Sequence, residues 1–268
     1  MKRFRVFLTS FIITFSIMGF CYFILYMSIQ SKSSAAGKTQ QGVPINKPGV
    51  TDSKTILLQT GNDYPFFTLI KFNAIEGEIG IVTISQNCKM EKSQRTLSQS
   101  LEKAGIMQCV LDISEEFDIT IDYFIQCSWQ ELALLIGELK DFGIDELGNN
   151  LPESTKEFLL KNAERIDAGT IINALEKSEA FLDNQIGLAF INESAYLLIK
   201  NNTDIMGKEC SRILKNNYTK FNTNINSEDM KSLERILSFL SVGGIEYPRD
   251  IITASQGENT DIIHNIFN

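Results

Sequence analysis

Residues 7–29, FLTSFIITFSIMGFCYFILYMSI, run for 23 positions without a charged side chain. As a helix rising 1.5 Å per residue, such a run spans about 30 Å of hydrocarbon. Lys2, Arg3 and Arg5 precede it, and the next charge is Lys32. Basic residues on this flank favour a cytoplasmic N-terminus, with everything after the span outside. A cleaved signal peptide is the competing reading, with Ser33 and Ala35 as small residues at a cleavage site. Signal-peptide apolar regions are shorter, about 7–15 residues, and so the length favours an uncleaved anchor.

The segment after it, residues 30–53, QSKSSAAGKTQQGVPINKPGVTDS, has few bulky apolar residues and reads as a flexible tether. The chain carries a formal charge of −8, and without the three N-terminal cations residues 6–268 carry −8 − 3 = −11. So acidic a body does not suit the phosphate backbone of a nucleic acid. Cys88, Cys109, Cys127 and Cys210 follow the span; none forms a C-x-x-C pair, which argues against zinc. Disulfides and buried free thiols both remain open, because pairing cannot be deduced from spacing. His264 is the only histidine, which removes a His-based triad or metal site. There is no P-loop and no G-x-G-x-x-G.

From Lys54 onward, short apolar runs rich in β-branched residues predict strands at 55–60, 66–72 and 79–85, with Gly77 and Gly80 flanking a hairpin turn. Helical spacing follows over 97–104, stopped by Gly105, and over 107–117. A strand is predicted at 119–127, then a helix capped by Ser128 with Glu131 at the capping-box position. The second half reads as helical at 168–182, 185–200, 209–218 and 227–240, with a last strand over 245–252. Strands mixed with helices predict an α/β fold: a mixed central sheet flanked by helices, an α-β-α sandwich, preceded by one transmembrane helix. The expected organisation is a cytoplasmic N-terminus at 1–6, the anchor at 7–29, the linker at 30–53, an extracytoplasmic domain at 54–254 and a C-terminal tail at 255–268.

The segment IDYFIQCSWQELALLIGELKDFGID, 121–145, resembles the LytR-CpsA-Psr family of cell-envelope proteins. Ile121, Asp122, Phe124, Trp129, Leu132, Leu135, Ile136, Leu139 and Ile144 register without a gap on the family's I-D-x-Y-V-x-V-D-F-x-G-F-x-x-L-V-D-x-L-G-G-V-x-V run. TILLQTGND resembles the family's opening I-L-L-L-G-x-D, with Gly61 and Asp63 in place, and EIGIVTISQN resembles the strand leading to S-I-P-R-D. The likeness covers residues 54 to 185. It implies transfer of a glycopolymer from a polyprenyl-pyrophosphate carrier to peptidoglycan, with Mg²⁺. That chemistry needs arginine forks for the pyrophosphate, carboxylates for the metal and an apolar slot for the lipid.

The charged positions depart from the pattern. Ser85, Gln86 and Asn87 stand where the family has P-R-D, so an arginine and an aspartate become neutral amides. YPFF, 64–67, stands in place of an R-S-D-T-like run, and 176–195 holds Lys177 but no arginine. The outer domain's arginines are Arg95, Arg165, Arg212, Arg235 and Arg249. The expectation is a non-catalytic envelope binding or scaffold module that takes a polyprenyl-phosphate lipid or a glycopolymer. A transferase with a rearranged site and a tethered envelope regulator are the alternatives. Candidate ligand-binding residues are Asp63, Gln86, Asn87, Phe66 and Phe67. Asp63 is also the candidate Mg²⁺ ligand, against a plain turn residue; Phe66 and Phe67 are candidates for the lipid slot, against core. YPRD, 247–250, reads either as a second route for an Arg and an Asp into the cleft or as a Pro-initiated turn with a surface ion pair.

Overall fold

In the computed structural model, the described residues are 48–49, 52–61, 64–132, 185–253 and 259–267. All fall in one unit, Pro48–Asn268. Both the candidate span at 7–29 and the helix expected at 168–182 lie outside them. Among the described residues, no helix is long and apolar enough to cross a membrane.

The strands are β1 (Ser53–Thr60), β2 (Phe66–Asn73), β3 (Glu78–Ile84), β4 (Lys89–Met90), β5 (Arg95–Thr96), β6 (Tyr123–Cys127), β7 (Asn222–Thr223) and β8 (Arg249–Ile252). The helices are α1 (Leu97–Ala104), α2 (Ile106–Phe117), α3 (Gln185–Asn217), α4 (Ser227–Leu240) and α5 (Asn259–Phe267). Six strands form a mixed sheet in the order β7-β6-β1-β2-β3-β8. β1–β2, β2–β3 and β6–β7 are antiparallel, while β1–β6 and β3–β8 are parallel.

Every residue of β2, FFTLIKFN, is buried. That follows from its central place, since a strand covered on both faces is apolar on both. Alternation then divides its side chains between two cores. Phe67 and Leu69 join Leu57, Val82 and Ile84 under α1, α2 and α5. Ile70 and Phe72 join Ile56, Ile79 and Ile81 under α3 and α4. The expected three-layer α-β-α arrangement is what forms.

Local signals place most elements. Thr96 caps α1 in a capping box with Gln99, and Gly105, at φ 76°, stops it. Asn226 and Asp229 form the same box on α4. Ser128 and Glu131 make the predicted box: the Glu131 carboxylate accepts from the Ser128 backbone N–H at 2.7 Å, and the Ser128 hydroxyl accepts from the Glu131 N–H at 3.3 Å.

Five expectations change, two of them by shortening: the strand expected at 119–127 forms over Tyr123–Cys127 and the one at 245–252 over Arg249–Ile252. The hairpin turn is 74–77, and Gly80 lies inside β3, paired with Lys71 and covered by Ile266 of α5. The two helices expected at 185–200 and 209–218 are one helix of 33 residues. In their apparent linker, NNTDIMGK, the Asn202 and Thr203 side chains donate to the carbonyls of Leu198 and Ile199, four residues back, and so are satisfied within the helix. Gly207 within it is where α4 closes in: a Cβ there would stand 3.0 Å from the Leu237 carbonyl oxygen. The Ser238 hydroxyl donates to the Gly207 carbonyl across that contact. Last, the residues expected as a C-terminal tail include α5, which buries Ile263 and Phe267 in the first core.

Candidate functional site

The strand directions gather one set of ends. The C-terminal ends of β1, β3, β6 and β8 and the start of β2 lie together, the usual place for a binding site in an α/β sheet. Gly61 N–H donates to the Cys127 carbonyl at 3.2 Å, and Ser85 N–H to the Ile252 carbonyl at 2.8 Å, stitching this end together.

VTISQN ends here as its pattern predicts. β3 stops at Ile84, and Gln86 and Asn87 form a turn closed by the Cys88 N–H on the Ser85 carbonyl at 3.0 Å. Gln86 is half-buried, and its carbonyl accepts from Ser98 N–H at the start of α1 at 3.0 Å. Asn87 is exposed, with its N–H on the Ser85 hydroxyl at 3.2 Å. Asp63 lies outside the described residues. At the end of β1, Gln59 is buried and donates to the Gly61 carbonyl at 2.6 Å, while its Oε1 has no partner among the described residues.

The four described arginines of the domain are each held by a carboxylate. Arg95 pairs with Asp112, Arg212 with Glu209, Arg235 with Asp52 and Arg249 with Glu193. In YPRD, Arg249 also lies 3.9 Å over the Tyr196 ring, and Asp250 accepts from the Ile251 N–H. That stretch leads into edge strand β8, and its arginine makes the ion pair of the simpler reading. Among the described residues no group of three His, Cys, Asp or Glu side chains could hold a metal ion. The described side chains of the 85–87 turn are hydroxyl and amide, without the carboxylate that Mg²⁺ favours.

Phe66 and Phe67, neighbours in sequence, part company. Phe67 is fully buried on the α1–α2–α5 side. Phe66 sits edge-on to Trp129, ring centroids 5.7 Å apart. Neither lines the cavity that the other face encloses. That cavity, of about 190 Å³, lies between the sheet and the α3–α4 layer. Its floor runs along β1 from Ile56 to Thr60 and along β2 from Thr68 to Phe72, about 13 Å of strand. Its roof comes from Leu198, Met206 and Cys210 of α3 and Leu233 and Leu237 of α4. Trp129 and Leu132 close it at the strand ends. The polar lining is sparse: Thr60; Thr68, bonded to Thr83 at 3.3 Å; and the Ser194 hydroxyl, which has no partner among the described residues.

The two cavity thiols are inert. Burial pushes Cys127 up to about 12, with Glu131 adding to it, and does the same to Cys210, helped by Glu234. The four described cysteines are free and buried.

Sequence reading did not find the roof. The i, i+4 spacing of Met206, Cys210 and Leu214, and of Leu233 and Leu237, marks apolar stripes, but nothing in a stripe separates a wall from a packed core. A glycine holds the cavity's end in shape. Gly61 has φ 85°, and a Cβ there would lie 2.6 Å from the Tyr64 carbonyl oxygen and 2.9 Å from Trp129 Nε1. Gly61→Ala is expected to cost about 2 kcal/mol from backbone conformation and crowding. A denaturant titration showing an unchanged midpoint would refute this.

No protein-family model matches the chain, and no curated protein matches it. Solved structures do. TagT bound to LIIa-WTA superposes with a TM-score of 0.56 at 12% identity, covering 85% of this chain and 97% of that one. TagT of Bacillus subtilis gives 0.52 at 12% identity, covering 81% and 82%. A transcriptional regulator, EF0465, from Enterococcus faecalis gives 0.53 at 14% identity, covering 75% and 78%. The architecture of this chain is similar to that of TagT, a LytR-CpsA-Psr family enzyme, and its fold is LytR-CpsA-Psr-like.

Proposed function

We propose that the chain is a membrane-tethered, extracytoplasmic module that binds the hydrocarbon chain of a polyprenyl-phosphate-type envelope lipid and does not transfer it. The carrying observation is the apolar cavity under α3 and α4, with a neutral 85–87 turn at the strand end. A cavity lined almost wholly by aliphatic side chains favours an apolar chain over an aqueous ligand. Transfer from a pyrophosphate needs cations at the developing charge. Here Gln86 and Asn87 offer hydrogen bonds only, and the four described arginines are already neutralised. The TagT neighbours, solved with LIIa-WTA and LI-WTA, support a glycopolymer-linked ligand for this fold.

Binding of a polyprenyl phosphate to the full chain in detergent, read by native mass spectrometry and calorimetry, tests this. Ala195 lines the cavity and is half-buried. Ala195→Phe fills the cavity and is expected to weaken binding about tenfold, or 1.4 kcal/mol, with thermal stability held. No binding by the wild-type chain would end the lipid reading. Glycopolymer transfer to peptidoglycan by the wild-type chain would replace it with the enzyme.

A further inference from the structure

At the opposite end of the sheet two loops meet that are far apart in sequence. The Glu246 N–H donates to the Gly77 carbonyl at 3.0 Å, and Gly77 stands against the Gly244 carbonyl oxygen. Each loop displays an aliphatic side chain: Ile75 is 52% exposed and Val242 is 89% exposed. Both are held firmly. Asn73 Oδ1 accepts from the N–H groups of Ile75 and Glu76 at 3.2 and 3.3 Å, and Asn73 Nδ2 donates to the Glu76 carboxylate at 2.6 Å. The N–H groups of Ser241, Val242 and Gly243 donate to the last carbonyls of α4, those of Leu237, Phe239 and Leu240. Two apolar side chains are thus fixed in solvent at this end of the sheet.

The chain enters the domain at this same end. Ala74 N–H donates to the Asp52 carbonyl at 3.1 Å, and Arg235 of α4 grips the Asp52 carboxylate. The entry point of the tether is therefore bonded to both elements that carry the exposed residues.

We propose that Ile75 and Val242 form a bilayer-contacting surface, which seats the domain on the membrane by its tether end. This rests on the reading of residues 7–29 as an anchor. A tether bonded at Asp52 keeps the bilayer at high effective concentration beside these two side chains, so a small apolar area suffices. Glu76 and Glu246 are exposed on the same loops, and the surface thus suits zwitterionic headgroups and is repelled by anionic ones.

The test uses the full chain with Cys21→Ser, reconstituted in phosphatidylcholine liposomes. Ile75→Cys, Val242→Cys and Met107→Cys are each labelled with an environment-sensitive fluorophore, the native thiols being buried. Met107 is 51% exposed on the first turn of α2, whose other end leads to the tether side, and it serves as the distant reference. Nitroxide lipids spin-labelled near the headgroup are expected to quench positions 75 and 242 several-fold more than position 107. The difference is expected to shrink as phosphatidylglycerol replaces phosphatidylcholine. Equal quenching at the three positions overturns the surface, and quenching that grows with phosphatidylglycerol overturns its charge preference. A carbonate wash before any fluorescence reading separates the other failure: a chain that washes off has no anchor, and the proposal falls with that reading.

Discussion

Replacing Phe67 by alanine is expected to lower the unfolding free energy by about 3–5 kcal/mol and to leave lipid binding unchanged. Phe67 is fully buried in the central strand, registered between Gln59 of β1 and Ile84 of β3, with Leu57 and Leu69 in the same core. Its neighbours are fixed by the sheet on one side and by α1, α2 and α5 on the others, so the cavity left behind cannot collapse. A domain of ordinary stability has about 5–15 kcal/mol to lose. Chemical denaturation gives the midpoint, and lipid titration of the folded fraction gives the affinity. A loss below about 1 kcal/mol would mean that the site relaxes, contrary to close packing on both faces. Reduced affinity in a variant that stays folded would put Phe67 in the lipid path after all.

Raising the pH above about 8.5 is expected to destabilise the protein. Burial pushes Cys88 up to about 11 and Cys109, Cys127 and Cys210 up to about 12. An unfolded thiol ionises near 8.5. Above that pH the unfolded chain releases protons that the folded chain retains, so the equilibrium moves toward unfolding. The stabilisation is whole below about pH 8.5 and is lost progressively as pH climbs to 11–12. Each thiol contributes a slope of up to about 1.4 kcal/mol per pH unit over the range where it is ionised in the unfolded chain and protonated in the folded one. Tyr123, whose hydroxyl donates to Asp229 at 2.9 Å, is raised as well and acts in the same direction. Thermal melts under reductant between pH 7 and 10 measure it. The melting temperature should fall steeply above pH 8.5, and less steeply in Cys88→Ala and Cys109→Ala variants. A flat profile from pH 8 to 10 would contradict the burial of these thiols.

The sheet was legible because its signal is local and redundant. Strands covered on both faces produce continuous apolar runs, and 55–60, 66–72 and 79–85 were found within two residues of β1, β2 and β3. The Ser128 cap served equally well, since it bonds within three residues of itself. The strand expected over 119–127 shows the limit. Only Tyr123–Cys127 pair as a strand, and just before them the Asp122 carboxylate is taken by Lys54 at 2.6 Å and by the Thr55 N–H at 2.9 Å. Those partners lie 67 and 68 residues away, beyond any local window. The candidate site divides in the same manner. Its strand end, VTISQN, was visible; its cavity was not, since a floor on β1 and β2 and a roof on α3 and α4 meet only in the folded chain. Phe66 and Phe67 show why adjacency misleads in a strand, where one residue's step changes the face.

The pairing of β3 with β8 bears on how the chain comes to be folded at all. Residues 249–252 complete the sheet against residues 81–84, so more than half the chain is made between the two partners. Synthesis proceeds from the N-terminus, and until β8 emerges β3 presents an open edge of Ile79, Ile81, Val82 and Ile84. An uncovered apolar strand edge is a template for pairing with other chains. The nascent polypeptide therefore passes through a long interval in which its most aggregation-prone surface is bare, and holding factors or slow release would protect it. Truncations that remove residues 249–252 would prolong that interval indefinitely, which makes the last strand as much a guard against self-association as a part of the finished architecture.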